Sequence, residues 1–146
     1  NPGGYLTQAV DVASLFVKSG TVVKIETREM DESTKVATGS FATDKPLVVL
    51  VNGNTAASAE VLAAALKDNQ RATLVGETTL GKGSVQVTRD LSFGGALRYT
   101  AAYDKSPLGH DIDGAGVAPD VAVGLAEGED NQKALAIETA QSLVKE

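Results

Sequence analysis

The chain has 146 residues, which is enough for one folded domain with its own core. Its 19 acidic and 13 basic side chains give a net charge of −6. That balance argues against nucleic acid as a partner, because phosphate binding needs a concentrated basic surface. There is no cysteine and a single histidine, His110, so disulfides, thiolate metal sites and multi-histidine metal sites are excluded. A Ser-His-Asp triad would have to use His110.

We expect no signal peptide at the start of the given sequence. The first residues, 1–4, read Asn-Pro-Gly-Gly and lack the charged start and apolar stretch of a signal peptide. No apolar run approaches the roughly 18 residues that span a bilayer. Because the chain does not begin with Met, we expect it to be an internal fragment or a processed piece.

The first third of the chain predicts a helix followed by two strands. Apolar residues recur at helical spacing over residues 5–18, and Gly20 is a suitable C-cap. Residues 21–28 are rich in β-branched side chains and predict a strand. A polar turn over 29–34 then leads to a short returning strand over 35–38.

The middle of the chain predicts a strand–helix–strand unit. The continuous apolar run 47–51 is typical of a strand that is covered on both faces in a parallel sheet. Thr55 can cap the helix that follows, which ends near residues 67–69. The apolar side of this helix comprises Val61, Leu62, Ala65 and Leu66. Residues 72–75 form a second buried strand, so we expect parallel pairing and a right-handed crossover.

The last third predicts a β-hairpin and a closing helix. Residues 84–90 and 96–103 are two strands joined through the glycine-containing segment 92–95. The final helix is predicted from Asp130, as N-cap, to about residue 144. Its predicted apolar side comprises Ile137, Ala140, Leu143 and Val144. We find no internal repeat and no linker that would indicate a second domain.

A glycine-flanked lysine, Lys82, invites two interpretations. Residues 76–82 fill most of a phosphate-loop pattern, but Gly83 stands where that pattern needs Ser or Thr, and the following residues predict a strand instead of a helix. Nucleotide binding is therefore disfavoured. Alternatively, Lys82 is a general base, which requires a buried site that disfavours its charged form. A solvated lysine in a glycine turn remains the simpler alternative.

Six segments together resemble the carboxyl-terminal processing peptidases, the tail-specific serine proteases of peptidase family S41. These segments are residues 1–4, 47–52, 55–60, 71–77, 81–86 and 114–121, the last reading Gly-x-Gly-Val-x-Pro-Asp-Val. They occur in the same order as in that family and without large gaps. The resemblance implies an α/β fold of the ClpP/crotonase-like type, with a sheet and flanking helices, and a serine endopeptidase that uses a Ser–Lys dyad.

The resemblance also assigns roles to individual positions. Ala57 occupies the position of the nucleophile, and Lys82, which matches the general base, follows it at the spacing of the family. Gln86 matches a residue that orients this lysine, and Asp68 matches an acid with a supporting role in some members; a surface acid at a helix end is its alternative. The backbone amides of Gly3 and Ser58 match the oxyanion hole.

Ala57 departs from the pattern, because a methyl group cannot attack a carbonyl. Ser58 does not replace it, since one residue along a helix turns the side chain by about 100°. Either a serine was deliberately changed to alanine or the protein is a natural pseudoenzyme. The retained Lys82, Gln86 and glycines favour the first explanation. In both cases we expect the chain as written to be inactive.

The resemblance further implies that residues 1–146 are the C-terminal portion of a catalytic domain whose PDZ domain and first strands are missing. A complementing N-terminal segment or further copies of the chain are then expected partners. The implied substrate is a protein or peptide with an unstructured C-terminal tail, and neither cofactor nor metal is implied. The implied location is extracytoplasmic, in the bacterial periplasm or cell envelope or in the thylakoid lumen. A non-catalytic peptide-binding pseudoprotease and, less favoured, a crotonase-like acyl-CoA enzyme remain alternatives.

Overall fold

The computed structural model describes residues 1–28, 32–126 and 130–144. Within these ranges the chain forms three helices and seven strands. In chain order they are α1 (Leu6–Phe16), β1 (Thr21–Thr27), β2 (Ser33–Val36), β3 (Val48–Val51), α2 (Ser58–Asp68), β4 (Thr73–Gly76), β5 (Ser84–Asp90), β6 (Ala96–Lys105), β7 (Val121–Ala122) and α3 (Asn131–Val144). The predicted α/β architecture with flanking helices is confirmed.

The strands form two sheets of different character. The first has the order β2-β1-β6-β5 and is antiparallel throughout. The second has the order β3-β4-β7 and is parallel, with Val48 opposite Thr73 and Val51 opposite Gly76. The predicted β3-α2-β4 unit with parallel strands is confirmed, and so is the β5–β6 hairpin.

The hydrophobic core lies around α2, which contacts α1, β1 and β4. The helix has small residues where it packs, and these lie almost entirely out of contact with solvent. Its buried apolar residues are Val61, Ala63, Ala64, Ala65 and Leu66. From the sheets, Val22, Val23 and Leu74 are fully buried in the same core cluster. Small side chains let the helix approach its neighbours closely, which holds its first turn in a defined place.

Several boundaries differ from the sequence predictions. Helix α1 ends at Phe16 with Val17 as C-cap, so Gly20 is not its cap. Thr55 is not the cap of α2, because its Oγ1 accepts a hydrogen bond from the Asn52 amide and closes the turn before the helix. The returning strand lies two residues earlier than predicted, and residues 29–31 of the predicted turn lie outside the described residues.

Two burial predictions were wrong. Leu50 in β3 is 47% exposed, because β3 is an edge strand of its sheet and is not covered on both faces. In α3 the buried residues are Gln132 and Ala136, whereas Ile137 and Val144 are exposed. The predicted N-cap of this helix has the expected contact, since Asp130 Oδ1 accepts a hydrogen bond from the Lys133 amide at 3.0 Å.

Candidate active site

Ala57, the predicted nucleophile position, has a strained backbone. It immediately precedes α2, with φ +54° and ψ −126°, a region that residues with a Cβ rarely adopt. Such a conformation costs about 1–3 kcal/mol and persists only where the surroundings enforce it. It places the side chain at the positive end of the helix dipole, where negative charge that develops on a reacting group is stabilised.

A buried carboxylate, Glu60, enforces this geometry. The side chain has no exposed surface and accepts four hydrogen bonds. Its Oε2 accepts from the amides of Ala57, at 2.9 Å, and Lys82, at 2.8 Å. Its Oε1 accepts from the Gly81 amide, at 2.6 Å, and from the Thr79 hydroxyl, at 2.5 Å. Every donor therefore comes from the nucleophile position or from the loop that carries Lys82.

The Glu60 carboxylate joins the two halves of the predicted dyad. Because the amide nitrogens of Ala57 and Lys82 bind one oxygen atom, they lie at most about 6 Å apart. Glu60 lies in the segment 55–60 that carries the family resemblance, but the resemblance gave it no role. The available signal was its place three residues after Ala57, where an acid at the third helical position commonly reaches back to the residue before the helix.

Packing fixes the turn that carries Lys82 from the other side. A Cβ on Gly83 would lie 2.5 Å from the Asp113 amide nitrogen, so only glycine fits there. The Gly83 amide donates to Asp113 Oδ1 at 3.1 Å, and its carbonyl accepts from the Asp104 amide at 2.8 Å. The Lys82 side chain itself is exposed. The described residues therefore do not form the closed apolar site that we expected around it.

The predicted oxyanion donors lie beside Ala57. Gly3 has φ +87°, and a Cβ on it would lie 2.9 Å from the Ala57 methyl carbon and 3.0 Å from the Ser58 nitrogen. The Ser58 amide has no hydrogen-bond partner among the described residues, as an oxyanion donor requires. The Gly3 amide is already engaged, since it donates to Asn1 Oδ1 at 2.9 Å. An incoming oxyanion would have to displace that side-chain oxygen.

Ser58 does not present its hydroxyl as a substitute nucleophile. Its Oγ accepts a hydrogen bond from the Gly4 amide at 2.6 Å. This contact ties the N-terminal glycine turn to the first residue of α2. The same turn lines a pocket of about 240 Å³ whose wall is formed by both polar and apolar side chains. Its lining includes Gly3, Gly4, Ala9, Val12, Ser58 and Leu62.

The structure does not bring Gln86 and Asp68 to this cluster by any hydrogen bond among the described residues. Gln86 is exposed on β5, and its amide donates to Thr100 Oγ1 at 2.6 Å. Asp68 lies at the opposite end of α2 from Ala57, about 16 Å along the helix axis. It accepts from the Ser106 hydroxyl at 2.5 Å and from the Leu108 amide at 3.0 Å. Asp68 thus anchors a loop, while the roles assigned to both residues stay predictions.

Asp104 is a buried acid that the sequence did not single out. Only 9% of its surface is exposed, and its Oδ1 has no hydrogen-bond partner among the described residues. Burial raises the pKa of this carboxyl from 3.8 to about 6. An acid at an inward-facing position of a strand is the one sequence signal that could have drawn attention to it.

Comparison with known proteins covers most of the chain. The sequence model of peptidase family S41 matches residues 1–123. The carboxyl-terminal-processing protease of Synechocystis sp. is 47% identical over 123 residues, which are 84% of this chain and 29% of that protein. A carboxy-terminal-processing protease of Bartonella bacilliformis is 40% identical over 125 residues, with the same coverage of both chains.

Solved structures agree with the sequence comparison. A photosystem II D1 C-terminal processing protease superposes with a TM-score of 0.81 at 42% identity, covering 85% of this chain and 32% of its own. The tricorn protease superposes with a TM-score of 0.61 at 20% identity, covering 97% and 14%, a likeness that shows the fold alone. The chain thus spans about a third of the length of its near relatives. None of the described helices combines the length and apolarity needed to cross a membrane.

Proposed function

The chain belongs to peptidase family S41, and we propose that it contains the dyad region of a carboxyl-terminal-processing serine endopeptidase. The observation that carries this proposal is the Glu60 carboxylate, which holds the backbone at position 57 and the backbone of Lys82 on one oxygen atom. A core acid with no catalytic duty would not need donors from these two separate places. A Ser–Lys pair requires both side chains to start from neighbouring backbone positions.

The proposed chemistry needs a serine at position 57. The neutral amine of Lys82 takes the proton of that hydroxyl while the oxygen attacks the scissile carbonyl carbon. The Ser58 amide, together with the Gly3 amide once Asn1 releases it, donates to the oxyanion. The Lys82 ammonium then gives its proton to the leaving amine. Water hydrolyses the acyl-enzyme by the same proton transfers in reverse. The His110 ring takes no part in this scheme.

With Ala57 in place, the first of these steps has no attacking oxygen. We therefore propose that the chain as written binds substrate without cleaving it. The Lys82 side chain is also exposed, so the described residues do not enclose it as a general base would require. These two observations support the second candidate function, a peptide-binding pseudoprotease. The crotonase-like alternative gains no support, because the relatives reported above are proteases.

The proposed substrate is a protein or peptide with an unstructured C-terminal tail. The pocket of about 240 Å³ beside Ser58 is lined by Val12 and Leu62 and also by Asn1 and Gln8, and in this proposal it receives a side chain of such a tail. In this proposal a preceding segment or a further copy of the chain covers Lys82 and completes the site. The location is proposed to be extracytoplasmic, the periplasm, cell envelope or thylakoid lumen. No cofactor enters the mechanism.

A chimera tests the proposal. Residues 1–123 of the chain replace the matching 123 residues of the Synechocystis protease, at 47% identity, so that the rest of a catalytic domain is supplied. We compare the chimera carrying Ala57 with its Ala57→Ser variant, using an unfolded protein with an apolar C-terminal tail. We expect cleavage near the tail only in the Ala57→Ser variant, and its loss in Ala57→Ser/Lys82→Met.

Matched controls separate failure of folding from failure of chemistry. Circular dichroism and thermal melting establish that each chimera is folded. Ser58→Ala in the Ala57→Ser background removes the neighbouring hydroxyl and should still cleave. A folded Ala57→Ser chimera that binds the tail but never cleaves it would reject the protease function and favour the pseudoprotease. Cleavage that survives Lys82→Met would reject the Ser–Lys dyad.

A further inference from the structure

The turn around Lys82 is held by three acidic residues. The Glu60 side chain accepts a hydrogen bond from the Lys82 amide, and the Asp113 side chain accepts one from the Gly83 amide. The third is Asp104, whose amide donates to the Gly83 carbonyl at 2.8 Å. Glu60 has four donors and Asp113 has one, whereas the Asp104 side chain makes no hydrogen bond among the described residues. A buried oxygen without a partner beside a candidate catalytic turn requires an explanation.

We propose that Asp104 is a pH-dependent positioning residue, whose carboxyl holds β6 against the Lys82 turn when protonated and loosens that contact when ionised. A neutral carboxyl is tolerated in a site without donors far better than a carboxylate. In this proposal, hydration of the buried Oδ1 of the carboxylate is regained when β6 moves away from Gly83, whose carbonyl accepts a hydrogen bond from the Asp104 amide. That movement would break the Asp104–Gly83 hydrogen bond and shift the residue that precedes Gly83, which is Lys82.

Among the residues that the structure describes, no charged group faces Asp104 closely enough to replace this movement. Its cross-strand neighbour on β1 is Ile25. Three charged residues neighbour Asp104 or Ile25 along their strands and therefore point to the opposite face of the sheet: Lys24, Glu26 and Lys105. There Lys105 forms an ion pair with Glu26 at 2.8 Å, and Lys24 forms one with Glu32 at 3.4 Å. Burial is the sole cause of the raised pKa of Asp104.

The remaining acids nearby are already engaged. On the Lys82 turn, the neighbouring carboxyl is that of Asp113, which holds the Gly83 amide. On α2, Asp68 accepts a hydrogen bond from the hydroxyl of Ser106, which lies two residues after Asp104. Both are acids, so neither can neutralise a carboxylate at position 104. Within the described ranges, the site therefore offers ionised Asp104 no cation and no donor.

The difference between the pKa of Asp104 in the closed and open arrangements sets how strongly ionisation shifts the equilibrium between them. The pKa of the carboxyl is about 6 when buried, against an ordinary value of 3.8 when open to water. Ionisation therefore favours the open arrangement by up to about 100-fold relative to the protonated form. The bias toward opening grows as the pH rises from about 4 through about 6 and levels off above that, so the closed arrangement is most favoured at about pH 4 and below.

Nuclear magnetic resonance of the chain as it stands tests this directly. We would titrate the Asp104 side-chain carboxyl carbon from about pH 4 to about pH 8 and follow the amides of Lys82, Gly83 and Asp104. We expect the carboxyl to titrate near pH 6 and the amides to shift with the same midpoint. Hydrogen exchange of the Asp104 amide should lose an additional roughly tenfold or more of protection between about pH 4 and pH 6, beyond the ordinary effect of hydroxide.

Two variants complete the test. In Asp104→Asn the step near pH 6 should vanish from the Lys82 and Gly83 amides. Asp113→Asn is the matched control. Asparagine can still accept the hydrogen bond from the Gly83 amide, so the step near pH 6 should remain in the Lys82 and Gly83 amides. A carboxyl that titrates near its ordinary value of 3.8, or one that titrates near 6 while both turn amides stay unmoved, would overturn the proposal.

A kinetic test rests on the proposed function and uses the Ala57→Ser chimera described above. The ratio of kcat/KM between Asp104→Asn and its parent should rise as the pH passes through about 6. A ratio that is constant with pH would reduce Asp104 to a structural residue. An inactive chimera would reject the proposed function only, because the resonance experiments need no catalysis.

Discussion

The surroundings of Glu60 and Asp104 form two contrasting regions of the molecule. Both carboxyls are buried next to the loop that carries Lys82. Glu60 has donors from three backbone amides and one hydroxyl, so its charge is compensated where it lies. Asp104 has an oxygen with no partner in the described part of the chain. Burial alone therefore does not decide whether an acid stabilises its surroundings; the number of donors does.

The largest effect should come from removing the satisfied acid. Glu60→Ala leaves the amides of Ala57, Gly81 and Lys82 buried or half-buried without an acceptor, and we expect it to lower the free energy of unfolding by about 3–5 kcal/mol. Urea denaturation measures this. Glu138→Ala, on the exposed side of α3, is the control and should change stability by less than about 0.5 kcal/mol. A loss under about 1 kcal/mol at Glu60 would contradict the stabilising role given to it.

A smaller loss should follow when one donor of the same group is removed. Thr79→Val deletes a hydroxyl that makes two hydrogen bonds. It donates one to Glu60 and accepts one from the Val117 amide at 2.8 Å. We expect a loss of about 1–3 kcal/mol, because the buried Val117 amide is left unpaired. Thr78→Val, at the exposed neighbouring position, serves as the matched control in the same denaturation experiment. Equal effects at both positions would show that the hydroxyl contacts contribute nothing.

The unsatisfied acid should behave in the opposite way. The raised pKa of about 6 means that the folded chain retains a proton that the unfolded chain has lost, so ionisation of Asp104 destabilises the fold as the pH rises from about 4 through 6. Asp104→Asn should therefore stabilise the chain by about 1–3 kcal/mol at about pH 7 and hardly at all at about pH 4. Denaturant midpoints at both pH values measure this difference. A gain that is equal at the two pH values would assign it to packing instead of charge.

The smallest effect concerns the backbone that Glu60 holds in place. Ala57 has φ +54°, which glycine adopts without strain, so Ala57→Gly should stabilise the chain by up to about 1 kcal/mol. Ala59→Gly, two residues later in the helix, should instead lose about 0.5–1 kcal/mol. Thermal unfolding of the two variants compares them directly. If both substitutions destabilise equally, the strain at position 57 is not real.

Local pattern was enough to predict much of the fold. Helical spacing predicted α1 and α2, and the two apolar runs predicted β3 and β4 with parallel pairing, as observed. The cap of α2 was not predictable in the same way. Thr55 has the side chain of a cap, but its hydroxyl is taken by the Asn52 amide, so the helix begins three residues later. Whether the Thr55 hydroxyl accepts from the Asn52 amide or from an amide of the helix depends on the path of the turn, which the residue type does not specify.

The sequence by itself determined the order of the elements and the family, because these depend on residue types at fixed spacings. It also predicted positions 57 and 82 of the candidate dyad. Only the tertiary structure decided what surrounds them. Three of the four donors to Glu60 lie 19 to 22 residues further along the chain. On β6, beside β1 and Gly83, the Oδ1 atom of Asp104 has no hydrogen-bond partner among the described residues. Hydrogen bonding of buried groups is settled by distances of a few tenths of an ångström between distant segments, and such distances exist only once the chain has folded.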